Sequence, residues 1–491
     1  LEWETEFDCN RKMRDWLIDS GMATEEELAA IDSEAKDFVR KEQKRAWADY
    51  RKTLQVDLQE AISKLEGINH HAAEIPLKTL LSTTEPSLKE VYVNVRRVIR
   101  ELRGIEVLGK DELISWFREK QKVNHDRFND KLFVDTKYSP LLVETVPAEY
   151  DQDSPIVDGR EVLNACFKAN FDKDARLLAF GEDVGKIGDV NQGFAGLQEE
   201  FGSQRIFDTG IRESAIIGKG IGLAVRGFRP IAEIQYLDYL IYAMPVLSDD
   251  LASLSYRTKG RQRAPLIVRT RGHRLEGIWH SGSPMSVLLG GLRGMHICVP
   301  RNMTQAAGMY NTLLRSDEPA VVVECLNGYR LKEKMPLNIS EFTVPIGKAE
   351  KIREGSDITV VSYGSTLRIV QEAALELDKL GVSIEIIDAQ CLQPFDRDQI
   401  SVESLKKTNR LLVVDEDFPG GASSYITHEI LEKQGGYYHL DGQPKTLTAK
   451  AHRPPYGSDG DYFTKPAVDD VVETAYQMMS DSNPTTFPPI Y

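Results

Sequence analysis

Leu177-Leu178-Ala179-Phe180-Gly181-Glu182-Asp183-Val184-Gly185 is the stretch on which the fold turns. Four apolar residues run directly into glycine and acids, as in a short buried strand that ends in a polar turn. Comparable apolar runs recur at 230–234, 266–269, 296–299 and 320–324. Between them the spacing predicts helices over 159–170, 212–226, 239–254 and 304–314. Strands alternating with helices at this length imply an α/β fold, a parallel sheet covered by helices on both faces. A second unit of the same kind begins near Ile346, with strands at 358–362, 383–387 and 410–414 around a helix at 365–380. In both units, ligands belong at the carboxyl ends of the strands.

Upstream the texture changes. Residues 1 to about 130 are charged and helical, with a capping-box start at Thr24-Glu25-Glu26-Glu27 and apolar residues at Leu28, Ile31, Ala35, Phe38 and Val39. Further helices are predicted from 88 to about 103 and near 110–121. His70-His71 reads as a surface pair, since neighbours on a helix point apart and no third ligand is evident. Residues 145–159 are rich in Pro, Asp and Ser and read as a linker. The expected organisation is therefore an all-helical segment over 1–145, one α/β domain over 155–345 and another over 346–491.

Bulk composition narrows the function classes. The 491 residues carry a net charge of -15, which disfavours nucleic acid as a partner. An acidic protein handling phosphorylated groups must gather its positive charge locally or borrow it from another subunit. The five cysteines are scattered and odd in number, as expected of reduced thiols in a cytoplasmic protein rather than of disulfides or a zinc site. No apolar run approaches the roughly 18–20 residues that span a bilayer. The opening Leu1-Glu2-Trp3-Glu4 lacks Met and a leader pattern, so it is expected to be interior to a longer polypeptide.

Three motifs have competing local readings. Gly181–Gly185 suits a ligand turn or an ordinary solvated one. Gly218-Lys219-Gly220-Ile221-Gly222 lies inside a helical pattern, so its small residues are read as helix packing and not as a nucleotide loop. Asp208-Thr209-Gly210-Ile211-Arg212-Glu213-Ser214 places a carboxylate in the first turn of an apolar helix, where it could be a catalyst or simply a partner for the helix dipole.

Taken together, Phe180–Val184, Arg205-Ile206-Phe207-Asp208-Thr209, Glu213, Arg229-Pro230-Ile231-Ala232-Glu233-Ile234-Gln235 and Trp279-His280-Ser281 resemble the beta subunit of 2-oxo acid dehydrogenases. The resemblance spans roughly residues 155–490 in the expected order. Residues 11 to about 45 resemble the C-terminal tail of the family's alpha subunit, which implies an alpha–beta fusion. The implied fold is a thiamine-diphosphate-binding domain followed by a transketolase C-terminal-like domain, recognised at Asp415-Glu416-Asp417 and Gly420-Gly421-Ala422.

The resemblance implies specific chemistry. Glu213 matches the glutamate that hydrogen-bonds a pyrimidine nitrogen of thiamine diphosphate, favouring the imino form that deprotonates the thiazolium carbon. Tyr239 matches the aromatic beside the aminopyrimidine. His280 matches the histidine that positions substrate or passes the acyl group to lipoate, and Glu182 an acid that relays protons between paired sites. His273 and His280 have no spacing to recommend them as metal ligands. A structural potassium ion held by backbone carbonyls is implied at Leu266, Leu313, Leu314, Ser316 and Glu318. The second domain would support dimerisation, as a homodimer or alpha2beta2-like assembly, and dock the dihydrolipoyl acyltransferase; an acidic surface there would suit a basic partner.

The sequence departs from the family at His280-Ser281-Gly282, where His-Ser-Gln is usual, at Asp208-Thr209-Gly210, where Asp-Thr-Pro is usual, and at 388–392, which lacks the usual Arg. Tyr239, where pyruvate-specific relatives tend to carry Phe, leans toward branched-chain acids. The Gly-Asp-Gly…Asn motif that holds diphosphate and magnesium in alpha is absent from this sequence, so the chain alone is expected to be inactive. Alternatives are a pyruvate-specific version, a transketolase-like enzyme, or a non-catalytic assembly module.

Overall fold

The computed structural model describes residues 1–85, 87–272 and 283–491 and divides into two compact units, Leu1–Asn129 and Asp130–Tyr491. His273 and the Trp279-His280-Ser281 motif lie outside the described residues.

The first unit is helical. Its longest element, α1 (Glu25–Glu66), begins at the capping box read from sequence: Thr24 Oγ1 accepts the Glu27 amide at 3.2 Å, and the Glu27 carboxylate accepts the Thr24 amide at 2.8 Å. The later turns of α1 pack with α2 (Glu74–Ser82), α3 (Leu88–Glu101) and α4 (Lys110–Asn129) around Leu58, Leu65, Val95, Val98 and Leu113. Buried Asp57 pairs with Lys120 at 2.7 Å and accepts the Tyr92 hydroxyl at 2.8 Å; burial and that carboxylate push Tyr92 up to about 12. The helical spacing at Ile31, Phe38 and Val39 is borne out as helix, yet all three side chains are exposed.

The second unit holds two layered α/β sheets. Among the described residues the larger sheet has seven strands: β2 (Leu177–Gly181), β3 (Ile206–Asp208), β4 (Arg229–Glu233), β5 (Ile267–Gly272), β6 (His296–Cys298), β7 (Ala320–Cys325) and β12 (Cys391–Gln393). Their order is β12-β6-β7-β5-β4-β2-β3, all neighbours parallel except β12 with β6. Helices α5 (Gly159–Lys173), α6 (Glu213–Val225) and α7 (Met303–Leu314) cover it, and its core joins Val162, Phe167, Ile217, Ile231, Val268 and Val322. The smaller sheet runs β14 (Lys445–Leu447), β13 (Leu411–Val414), β10 (Ile358–Ser362), β11 (Ile384–Asp388), β9 (Glu350–Arg353), with α8 (Thr366–Lys379) and α9 (Val468–Ser482) packed on it. The parallel-sheet reading of both domains is thus the observed architecture.

Two local readings change. The stretch read as a linker is tied down: Val146 and Thr343 exchange two hydrogen bonds of 2.8 Å, and Glu149 donates its amide to Asn338 at 2.9 Å. Ile156–Asp158 (β1) then pairs with Lys332–Lys334 (β8). The predicted helix over 239–254 is broken into short turns with a wide π-helical segment at Val246–Ala252, because Pro245 lacks an amide donor and cannot sit inside a regular helix. Asp415, Glu416 and Asp417, on which the resemblance of the second domain rests, are buried at the end of β13. Asp415 accepts the Tyr363 hydroxyl at 2.5 Å, and Asp417 accepts the Ser286 amide at 3.1 Å. Burial, then Asp415, push the Asp417 carboxyl up to about 6.

Candidate active site

Three adjacent parallel strands end at one edge of the larger sheet, and each delivers one of the predicted site residues. Glu182 follows β2 directly; Glu213 is the first residue of α6, after β3; Tyr239 lies in the short helix after β4. All three are half-buried. They share one electrostatic neighbourhood. The Glu182 carboxyl is pushed up by burial first, then by Asp183 and Glu213, and the Tyr239 hydroxyl by burial, then by Tyr236, Asp238 and Glu182 among its neighbours. Glu213 sits where the helix dipole favours a negative charge, and Ser214 fixes that turn by donating to the Tyr242 carbonyl at 2.6 Å. The Tyr239 ring stands edge-on to Tyr236, with centroids 5.8 Å apart.

A raised Glu182 has a consequence for stability. Its folded proton affinity exceeds that of an ordinary glutamate, so its contribution is fully present below the unfolded pKa and is lost as pH rises through the higher folded value. Glu182→Gln removes the penalty. The melting temperature of the variant minus that of the wild type should therefore grow from pH 4 to pH 8 in thermal scans; a difference independent of pH contradicts the shift.

Beneath this edge lies a fully buried ion cluster that the sequence reading passed over. Arg269 forks onto Glu324 at 2.9 and 3.0 Å and reaches Asp189 at 2.6 Å and Glu233. Arg271 bridges Glu233 and Asp189 at 2.8 Å each and donates to the Gln235 carbonyl at 3.1 Å. Tyr310 and Tyr329 donate to Glu324. Burial works against both acids: it keeps Glu233 raised despite the two guanidiniums, whereas at Asp189 the guanidiniums win and the carboxyl is lowered. The cluster reaches the site through Gln235, whose Nε2 donates to Asp183 at 3.1 Å. A signal existed in sequence, since arginines at alternate positions of an apolar strand inside a doubly covered sheet must be paired.

Three of the five carbonyls implied for potassium, those of Leu313, Leu314 and Ser316, converge, but on a side chain. Arg229 Nη2 donates to Leu313 O at 3.3 Å, Leu314 O at 2.9 Å and Ser316 O, while Nη1 meets Asp317 at 3.1 Å. The Leu266 carbonyl accepts the Ala320 amide at 3.1 Å, and the Glu318 carboxylate binds His296 at 2.7 Å. As arranged, the carbonyls of Leu313, Leu314 and Ser316 already surround a guanidinium and do not fit a second cation there. Among the described residues no group of three His, Cys, Asp or Glu side chains is arranged for a metal. Nor is any helix there long and apolar enough to cross a membrane.

Comparison with known proteins fits this edge. Residues 156–331 match the pyrimidine binding domain of transketolase and 347–464 its C-terminal domain. The chain is 34% identical to the 2-oxoisovalerate dehydrogenase subunit beta of Bacillus subtilis over 264 residues, 53% of this chain and 80% of that one. The chain belongs to the beta subunits of 2-oxo acid dehydrogenases. Other beta subunits match similarly: the pyruvate dehydrogenase E1 component subunit beta of Acholeplasma laidlawii is 33% identical, covering 59% of this chain and 88% of that one. Its Staphylococcus aureus counterpart is 35% identical, covering 56% and 84%. A split-gene transketolase shares the beta-subunit fold at a TM-score of 0.53 and 18% identity, over 66% of this chain and 98% of that one.

Proposed function

We propose that the chain supplies the pyrimidine-activating half of a thiamine-diphosphate-dependent 2-oxo acid dehydrogenase, which decarboxylates the acid and reductively acylates a lipoyl group on its acyltransferase partner. The observation that carries this reading is the convergence of Glu213, Glu182 and Tyr239 at the ends of neighbouring strands. These residues fit the pyrimidine end of the cofactor: a carboxylate at a helix start, a second acid with raised proton affinity, and an aromatic ring to pack against. When bound, thiamine diphosphate supplies the nucleophilic carbon and the electron sink for decarboxylation.

The chain's own residues do the rest of the positioning and proton handling. Glu213 holds a hydrogen bond to a ring nitrogen, and its partial burial strengthens that bond by lowering the local dielectric. Tyr239 packs beside the aminopyrimidine. Glu182, whose carboxyl burial and the neighbouring acids make harder to ionise than an ordinary glutamate, is placed to take up and pass on a proton. His280, outside the described residues, is assigned to substrate positioning or acyl transfer on its sequence motif.

The diphosphate and magnesium fall to alpha-type sequence, upstream in the same polypeptide or on a partner chain, and residues 11–45 are read as an alpha tail. Branched-chain acids are the favoured substrates, on Tyr239. The isolated 491 residues should release no carbon dioxide from any 2-oxo acid, and turnover by them alone would sink the split-site reading. Sugar-phosphate turnover in the reconstituted enzyme would instead mark a transketolase.

A further inference from the structure

Glu182 is placed with unusual care for a loop residue. The glycines on either side of its turn are pressed against neighbours: a Cβ at Gly181 would lie 2.6 Å from the Glu233 carbonyl oxygen, and one at Gly185 would lie 2.6 Å from Asp208 Oδ2. Between them Asp183 takes a left-handed φ of 60°, with its carbonyl accepting the Asp189 amide at 2.7 Å. Asp208 sits opposite Gly181 in the sheet and folds its carboxylate over the turn. It accepts the Gly185 amide at 2.6 Å and the Lys186 amide at 3.4 Å. One residue on, the Thr209 amide donates to the Gly181 carbonyl at 2.9 Å, so the two chains stay in register past the strand ends. Glu213 follows four residues later at the head of α6.

Resting on the functional reading above, we propose that Asp208 is a positioning residue that holds the Glu182 turn against the segment leading to Glu213 and so fixes the two acids relative to each other. Asp208 touches neither the reacting atoms nor the pyrimidine in this account. It acts through two backbone amides, and a Cβ at Gly185 would press on its carboxylate and on Gln198 Nε2 at 2.5 Å. The groups bearing on the Glu182 carboxyl are Asp183 on its own turn, Glu213 on α6 and the Tyr239 hydroxyl after β4.

The test needs two readouts and three variants. The Glu182 carboxyl is followed by carbon-13 NMR titration in the 491-residue chain, assigned through Glu182→Gln, and kcat and KM are measured in the enzyme reconstituted with alpha-type sequence, thiamine diphosphate and magnesium. Asp208→Ala should move the Glu182 titration toward that of an ordinary glutamate. It should also lower kcat by about tenfold to a hundredfold, the scale of small misplacements, with KM for the 2-oxo acid little changed. Gly185→Ala, which leaves the Asp208 charge in place, should do the same. Asp208→Asn removes the charge but keeps an acceptor for the Gly185 amide, and should retain most of the wild-type behaviour. A Glu182 titration unmoved in both Ala variants overturns the proposal, as does an Asn variant indistinguishable from Asp208→Ala, which would reduce the effect to lost charge. A moved titration with unchanged kcat supports the positioning role and instead removes Glu182 from catalysis.

Discussion

Glu213→Gln in the reconstituted enzyme should lower turnover of a 2-oxo acid by about a hundredfold to ten-thousandfold, the range over which a positioned acid–base group contributes. The substitution keeps the shape of the side chain and removes only its capacity to share a proton. Glu213 is half-buried at the first position of α6, and its neighbours Arg212 and Ser214 keep their backbone roles. Stability of the isolated chain should therefore change by less than about 1 kcal/mol in urea denaturation, the scale of a charge's contact with the helix dipole. Loss of activity with the fold intact is the expected pairing. Near-normal turnover in the variant refutes the assignment of Glu213.

The largest effect on stability is expected from Arg269→Met. Arg269 is fully buried and serves Glu324, Asp189 and Glu233 at once, so its removal leaves buried Glu324 without a cation and Asp189 and Glu233 to share Arg271. Breaking a buried pair from one side costs about 3–5 kcal/mol. The deficit should shrink as pH falls, because the stranded acids take up protons and their raised folded pKa values then favour the native state. Urea titrations of the chain at pH 5 and pH 8 measure both effects. A variant within about 1 kcal/mol of wild type at pH 8 would mean that the cluster is not held by Arg269. Because Arg271 and Gln235 continue the same cluster to Asp183, the variant should also lose activity in the reconstituted enzyme.

Much of this architecture is legible in the sequence, for reasons particular to each element. β2 shows itself because four apolar residues stop abruptly at Gly181, and the capping box at Thr24 because its two partners are three residues apart. Glu182, Glu213 and Tyr239 are singled out by the family resemblance, and parallel strands that all end on the same side bring them to one edge. What escaped reading depends on partners distant in sequence. Arg269 is paired with acids 36 to 80 positions away, so its place in an apolar strand shows that it needs partners without showing which. Asp415, Glu416 and Asp417 look solvated until β13 is seen to end inside the domain. The 145–155 stretch looks like a connector because its hydrogen-bond partners lie near residue 340.

The family assignment explains why the site looks incomplete. In the proposed reading the pyrimidine end is built from this chain, whereas the Gly-Asp-Gly…Asn motif that holds diphosphate and magnesium in the family's alpha subunit is absent from its sequence. A net charge of -15 fits a chain that borrows positive charge from elsewhere.

The most direct test of the account is complementation. The 491-residue chain is mixed with alpha-type sequence, thiamine diphosphate and magnesium, and carbon dioxide release is followed from branched-chain 2-oxo acids and from pyruvate. The account predicts release only when both parts are present, higher for the branched-chain acids, and abolished by Glu213→Gln. Release from this chain and cofactor alone, or none from the complete mixture, would contradict it.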